Sequence, residues 1–169
     1  LGEIECAIGI EQLKKLKGLV ETRQQAVERL SEGLKDLDGL RLPIVRDNCT
    51  HVYYIYALIV DVDKLGVTRD LIIKALEAEG VSALTAGYAN IHLLPMYQNK
   101  IAYGSHGFPW NLKETRQNIS YEKGICPVAE KLHNEMFIGF EMCVHDLSDN
   151  DIGLIIKAFE KVWLNLEKL

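Results

Sequence analysis

Apolar side chains in the first part of the chain recur every three or four residues, or at sums of these, with charged side chains between them. This spacing predicts one face of an amphipathic α-helix running from about residue 3 to residue 37. A helix of that length measures about 50 Å, which is more than one small domain can cover. We therefore expect it to span two folded bodies or to pack against another chain. The apolar positions are Ile4, Ile8, Leu13, Leu16, Val20, Val27, Leu30, Leu34 and Leu37.

Three later segments predict β-strands. The segment HVYYIYALIV at 51–60 is β-branched and aromatic and is apolar on both faces, which is typical of a central strand. Shorter strands are predicted within VSALTAGY at 81–88 and FIGFEMCVH at 137–145.

Helix-start signals alternate with these strands. Thr68 precedes a helical segment that Gly80 closes, and Pro127 stands in the first turn of a second one. Ser148 is placed to cap the last helix. The alternation predicts an α/β fold: a small, three-layer-like sandwich with a short, about three-stranded and mostly antiparallel sheet packed by helices, preceded by the long N-terminal helix.

Composition and charge narrow the function classes. The 169 residues carry a net charge of −5 without a Lys/Arg run, which disfavours nucleic acid as a partner. No apolar run approaches the ~18 residues that span a bilayer and no signal peptide opens the chain, so we expect no membrane partner and a cytoplasmic protein. The histidines form no H-x-x-x-H pair and the four cysteines no C-x-x-C pair. We therefore expect no metal site, and buried free thiols.

The segment 87–111 has neither helical nor strand periodicity, yet it is rich in aromatic residues. Loops this long are uncommon in compact domains and are usually functional or disordered, and disordered segments are poor in aromatics. One interpretation is a wall of aromatic faces with hydrogen-bonding tips, suited to a sugar, a cyclitol or a nucleotide base. The alternative is that the same aromatics pin the loop onto the domain. The candidate binding residues are Tyr88, His92, Tyr97, Trp110 and Asn111.

Five segments of the chain follow one another in an order typical of one enzyme family. They are LGEIECAIGIEQLKKL, HVYYIYALIV, IHLLPMY, CPVAEKLHNEM and LSDNDIGLIIKAFEKV. In content and order they resemble the DegT/DnrJ/StrS aminotransferases. These are fold-type I, pyridoxal-phosphate-dependent enzymes that place amino groups on keto sugars or keto cyclitols, using an amino-acid donor.

The resemblance implies that this chain is the C-terminal small domain of such an enzyme. It implies a long interdomain and homodimer-interface helix at 1–42, and a small domain at 43–169 with a substrate loop at 86–125. The family's Schiff-base lysine is expected upstream of Leu1, so we assign no catalytic residue here. The chain alone is then expected to be inactive and to bind no pyridoxal phosphate covalently.

The resemblance also implies roles within the loop. In the family the region matched by IHLLPMY borders the active site, which makes His92 and Tyr97 implied substrate contacts. Leu94 replaces the usual glutamine, and the segment between Tyr97 and Cys126 is longer than in most members. The alternative function is a non-catalytic ligand-binding or dimerisation module of the same fold. A mere structural scaffold would explain the helices but not the aromatic loop.

Overall fold

The computed structural model describes residues 2–115 and 118–169, so Leu1 and two positions of the predicted loop 86–125 lie outside the described residues. It shows a long helix followed by a small α/β unit. In chain order the helices and strands are α1 (Glu3–Leu34), β1 (Leu40–Arg41), β2 (Tyr56–Val60), α2 (Val62–Leu65), α3 (Arg69–Ala78), β3 (Leu84–Thr85), α4 (Pro95–Gln98), α5 (Pro127–Lys131), β4 (Phe137–Phe140) and α6 (Asp149–Trp163). A π-helical turn, Leu132–Met136, joins α5 to β4.

The strands form one antiparallel sheet in the order β1-β2-β4-β3. At its centre β2 pairs with β4, placing Tyr56 opposite Phe140 and Leu58 opposite Ile138. The predicted α/β class, with an antiparallel sheet behind a long N-terminal helix, is confirmed. The described sheet has four strands rather than about three, because Leu40–Arg41 adds an edge strand just after α1.

The strands are shorter than the sequence pattern predicted. Tyr53 lies inside the predicted strand 51–60 but has a φ of +49°, and its amide donates to Nδ1 of His51 at 2.8 Å. The backbone therefore turns at this point, and the ladder begins only at Tyr56. After β4, a 3₁₀ turn at Met142–Val144 replaces the rest of the predicted strand 137–145. Apolar content predicted which segments enter the sheet but not where pairing starts and stops.

One face of the sheet packs against the helices. Tyr56, Leu58 and Val60 alternate along β2 and are at most 1% exposed. Burying a large apolar side chain stabilises a fold by roughly 1.5–3 kcal/mol, so this alternation fixes which face of β2 points inward. The helices α1, α3 and α6 supply the other side of the core, through Val27, Leu30, Leu34, Ile72, Leu76, Ile152, Phe159 and Val162.

The two halves of α1 have different surroundings. Leu30 and Leu34, in its last turns, are at most 1% exposed. Earlier apolar side chains of the predicted face are exposed within this chain, with Ile4 at 76% and Leu13 at 69%. The helix itself is confirmed, at Glu3–Leu34, but its apolar face enters the core of this chain only from Ala26 onwards.

The cysteines are free thiols, but the expectation that they are buried is wrong. Cys6, Cys49 and Cys143 are exposed, and Cys126 is half-buried. Cys6 lies on the exposed half of α1, while Cys49 and Cys143 lie in turns outside the sheet. Among the described residues, no helix is both long and apolar enough to cross a membrane.

Candidate functional site

The first part of the aromatic loop is not irregular but contains two short helical turns. A 3₁₀ turn spans Ile91–Leu93, and α4 follows directly with Pro95 in its first turn. Proline fits there because the first N–H of a helix has no partner within the helix. These two turns fix the positions of His92 and Tyr97.

His92 and Tyr97 line the same concavity, which has a volume of about 420 Å³. This volume lies in the range of small-molecule pockets, roughly 300–1,000 Å³. The structure thus brings together the two residues that the motif resemblance had marked. The other lining residues are Ala89, Asn90, Ile91, Tyr121, Cys126 and Ala129.

His92 is held by a buried carboxylate. Its Nε2 lies 2.9 Å from Oε1 of Glu130, and the two side chains are 11% and 9% exposed. The same oxygen accepts from the backbone N–H of Gly124 at 2.7 Å and of Cys126 at 3.4 Å. The Gly124 N–H first, and then the bonds from His92 and Cys126, hold the pKa of Glu130 below its usual value. Glu130 is therefore ionised near neutral pH.

Tyr97, Trp110 and Tyr121 form an aromatic cluster beside this concavity. Tyr97 and Tyr121 have ring centroids 5.2 Å apart, and Trp110 meets both rings edge-on at 6.0 and 6.2 Å. The indole N–H of Trp110 donates to Oη of Tyr121 at 3.0 Å. Edge-to-face contacts of this kind stabilise aromatic clusters. The surroundings of Trp110 thus favour the interpretation in which the aromatics pin the loop.

The remaining two predicted residues do not line the concavity. Nδ2 of Asn111 donates to the carbonyl of His106 at 2.9 Å, which is a contact within the loop. Tyr88 is 99% exposed, so its ring is not packed against the rest of the chain.

Three residues that organise this site were not predicted from the sequence: Glu130, Tyr121 and Gln98. Nε2 of Gln98 donates to the carbonyls of His92 and Tyr121, at 2.7 and 2.6 Å, and so ties the start of the loop to its end. The sequence indicates Glu130 only as a carboxylate in the first turn of α5, where negative charge is favoured. Its partner His92 lies 38 residues away in the sequence, and no local pattern predicts that contact.

Metal-binding and basic side chains are not gathered at this concavity. Among the described residues, no group of three or more His, Cys, Asp and Glu side chains could hold a metal ion. The residues lining the concavity include neither lysine nor arginine. They therefore offer no amine for the aldehyde of pyridoxal phosphate and no cation for its phosphate.

Comparison with known proteins places the chain among aminotransferases. A profile of the DegT/DnrJ/EryC1/StrS aminotransferase family matches residues 1–135. The spore coat polysaccharide biosynthesis protein SpsC of Bacillus subtilis (strain 168) is 30% identical over 118 residues, which are 70% of this chain and 30% of SpsC. The dTDP-3-amino-3,4,6-trideoxy-alpha-D-glucose transaminase of Micromonospora megalomicea subsp. nigra is 28% identical over 162 residues, 92% of this chain and 36% of the relative.

A solved structure extends the similarity to the fold. The aminotransferase TlmJ of Streptoalloteichus hindustanus superposes with a TM-score of 0.64 and 27% identity, over 96% of this chain and 36% of TlmJ. The chain spans about a third of the length of the curated relatives it matches.

Proposed function

Because the chain belongs to the DegT/DnrJ/EryC1/StrS aminotransferase family, we propose that it is the C-terminal domain of a pyridoxal-phosphate-dependent aminotransferase. The proposed enzyme moves an amino group from an amino acid to a keto sugar, most readily a nucleotide-linked one, or to a keto cyclitol. The sugar is supported by the name of the Micromonospora relative, a transaminase of a dTDP-linked sugar. The cofactor, when bound, supplies the electron sink of the reaction, and residues outside this chain are proposed to hold it.

The observation that carries this proposal is the concavity shared by His92 and Tyr97. An aromatic face beside a few polar groups suits a sugar, because the ring packs on the apolar face while hydroxyl groups bond to the polar tips. We propose that loop 86–125 borders the substrate, with His92 as a hydrogen-bonding contact and Tyr97 as a packing contact. Tyr88, Trp110 and Asn111 are proposed as outer contacts for the sugar or its nucleotide.

Half-reaction kinetics on the complete enzyme test this assignment. His92→Ala is expected to slow the half-reaction with the keto sugar more than the half-reaction with the amino donor. The matched control is His106→Ala, which removes an exposed histidine of the same loop that does not line the concavity. Equal losses in both half-reactions for His92→Ala, or an equal effect of the control, would contradict the substrate role.

We propose that residues 1–42 form an interdomain and homodimer-interface helix, and that 43–169 form the small domain. The first half of α1 supports this, because Leu13 and Leu16 are 69% and 52% exposed. Apolar side chains exposed side by side on one helix are typical of an interaction site. Leu13→Lys and Leu16→Lys should weaken self-association in sedimentation experiments, whereas Lys15→Glu on the same exposed stretch should not. A chain that stays monomeric at all concentrations would argue against the dimer.

The same exposed surface favours the alternative function, a non-catalytic ligand-binding or dimerisation module. Both functions predict that the 169-residue chain alone has no transaminase turnover. The complete protein distinguishes them. A protein that binds nucleotide-linked keto sugars but transfers no amino group to them would establish the alternative.

A further inference from the structure

One carboxylate oxygen joins the two ends of loop 86–125. Oε1 of Glu130 contacts His92 near the start of the loop, and it contacts the amides of Gly124 and Cys126 at its end. Glu130 is only 6% exposed. A buried carboxylate is costly unless donors compensate it, and here three donors converge on a single oxygen.

This contact fixes which nitrogen of His92 carries the proton. An ionised carboxylate can only accept hydrogen bonds, so Nε2 of a neutral His92 must be the N–H donor to Glu130. Nδ1 then has a free lone pair. Among the described residues, Nε2 of His145 is the one side-chain nitrogen or oxygen atom that is fully buried and has no hydrogen-bond partner. Nδ1 of His92 is therefore not a fully buried, unpaired atom, and His92 lines the concavity.

We propose that Glu130 is a positioning residue: it holds His92 as the Nε2–H tautomer, so that Nδ1 accepts a hydrogen bond from a hydroxyl group of the substrate. The nature of the substrate rests on the proposed function, whereas the tautomer and its dependence on Glu130 do not. An acceptor at this position favours ligands with a hydroxyl group there over ligands in which hydrogen replaces it. Losing one such uncharged hydrogen bond weakens binding by about 3- to 10-fold.

Three variants separate the acceptor oxygen of Glu130 from its charge and its volume. Glu130→Met keeps a side chain of similar length but removes the strong acceptor. Glu130→Gln loses the charge and keeps an oxygen that can occupy the position of Oε1, so it should rescue the tautomer. Glu135→Met is the matched control, because it removes an exposed carboxylate on the adjacent π-helical turn.

The experiment combines two measurements on the complete enzyme. Long-range ¹H–¹⁵N correlation spectra of the histidine rings report the tautomer of His92. Half-reaction kinetics with a series of nucleotide-linked keto sugars and their deoxy analogues report substrate binding. We expect Nε2–H in the wild type, in Glu130→Gln and in Glu135→Met, and a mixture of tautomers in Glu130→Met. KM for the keto sugar should rise in Glu130→Met as the fraction of the Nε2–H tautomer falls, up to the about 3- to 10-fold effect of a fully lost hydrogen bond, and the half-reaction with the amino donor should be unchanged.

Three results would overturn the proposal. An Nδ1–H tautomer in the wild type, or an unchanged Nε2–H tautomer in Glu130→Met, would remove the positioning role of Glu130. A changed tautomer without any change in KM for the sugar would remove the acceptor role of Nδ1. If the wild-type enzyme aminates none of the keto sugars, the proposed function fails, and the spectra still decide whether Glu130 positions His92.

Discussion

The hydrogen bond between Trp110 and Tyr121 leads to a quantitative prediction about the loop. Tyr121→Phe removes the hydroxyl that accepts from the indole N–H at 3.0 Å, and it keeps the ring that contacts Tyr97. Trp110→Phe removes the donor and keeps an aromatic ring at the same position. Because the two substitutions delete opposite ends of one bond, their effects should not add.

The expected magnitudes follow from the contacts. A hydrogen bond between uncharged groups contributes about 1 kcal/mol net, so Tyr121→Phe should cost about that much. Trp110→Phe should cost at least as much, because it also shortens a packed ring, and the double variant should cost little more than Trp110→Phe alone. The coupling free energy between the two sites is then about 1 kcal/mol. Trp110→Ala also removes two edge-to-face ring contacts, each contributing about 0.5–1.5 kcal/mol, so it should cost at least about 2 kcal/mol.

Native-state hydrogen exchange is the suitable assay, because it measures the opening of a loop separately from global unfolding. The amides of Ala102 and Asn111 donate to the carbonyls of Phe108 and Gly107 at 3.0 Å and therefore report on the loop. The amide of Leu58, in the central strand β2, is the internal control and should be unaffected. Strictly additive effects of the two substitutions would refute the hydrogen bond. Unchanged protection in Trp110→Phe together with weaker sugar binding would instead assign Trp110 to the substrate.

Three further predictions concern the framework around the site. Burial raises the pKa of Tyr56 to about 12, from about 10 in the unfolded chain. The stability that depends on a neutral Tyr56 is therefore fully present below pH 10 and is lost as the pH rises towards 12. The free energy of unfolding measured in urea should therefore fall less steeply in that range for Tyr56→Phe than for the wild type, and an identical fall would contradict this. Gly87→Ala should cost about 1–3 kcal/mol, because φ is +108° and a Cβ would lie 2.6 Å from Nδ1 of His133. Gly104→Ala, with φ +66° and open space around it, should cost clearly less in thermal unfolding, and equal losses would rule out the clash. Ser148→Ala should lower the free energy of unfolding by about 0.5–2 kcal/mol by removing the cap of α6. Ser148→Thr keeps the hydroxyl and should lose much less, and equal losses in urea unfolding would exclude the cap.

Features governed by local chemistry were predictable from the sequence. Ser148 caps α6 in a reciprocal capping box with Asp151, and Thr68 accepts from the amide of Leu71 at the start of α3. The signals for these helix starts lie within three residues of one another. The strand Leu40–Arg41 was not predicted, because two residues are too few to show the alternation of apolar and polar side chains that indicates a strand. It forms because the chain leaving α1 comes beside Ile59 and Val60, and that placement depends on the folded core.

The candidate site was predictable only where a motif carried the information. The resemblance marked His92 and Tyr97, and the structure places both on one concavity. Aromatic composition drew attention to Trp110 but did not show which rings would meet, since its partners Tyr97 and Tyr121 lie on separate segments. Side-chain contacts of this kind are set by how the loop closes, and a linear pattern does not encode them.

The anchoring of the loop explains how such a long irregular segment holds a defined concavity. Ordering each loop residue costs conformational entropy of about 1–2 kcal/mol, which regular elements offset through backbone hydrogen bonds. In this loop, hydrogen bonds from side chains offset part of that entropy. Arg69, only 7% exposed on α3, donates to the carbonyls of Ala86 at 2.9 Å and His133 at 2.6 Å, and so fixes the root of the loop to the turn after α5.

Beyond this root, Glu130 holds both ends of the loop, and the cluster of Tyr97, Trp110 and Tyr121 holds its middle. None of these anchors belongs to the apolar core beneath the sheet. The outer part of the loop can therefore change in length and composition while the root and the position of His92 stay fixed. Under the proposed function, this arrangement separates the candidate substrate contacts from the residues that hold the fold.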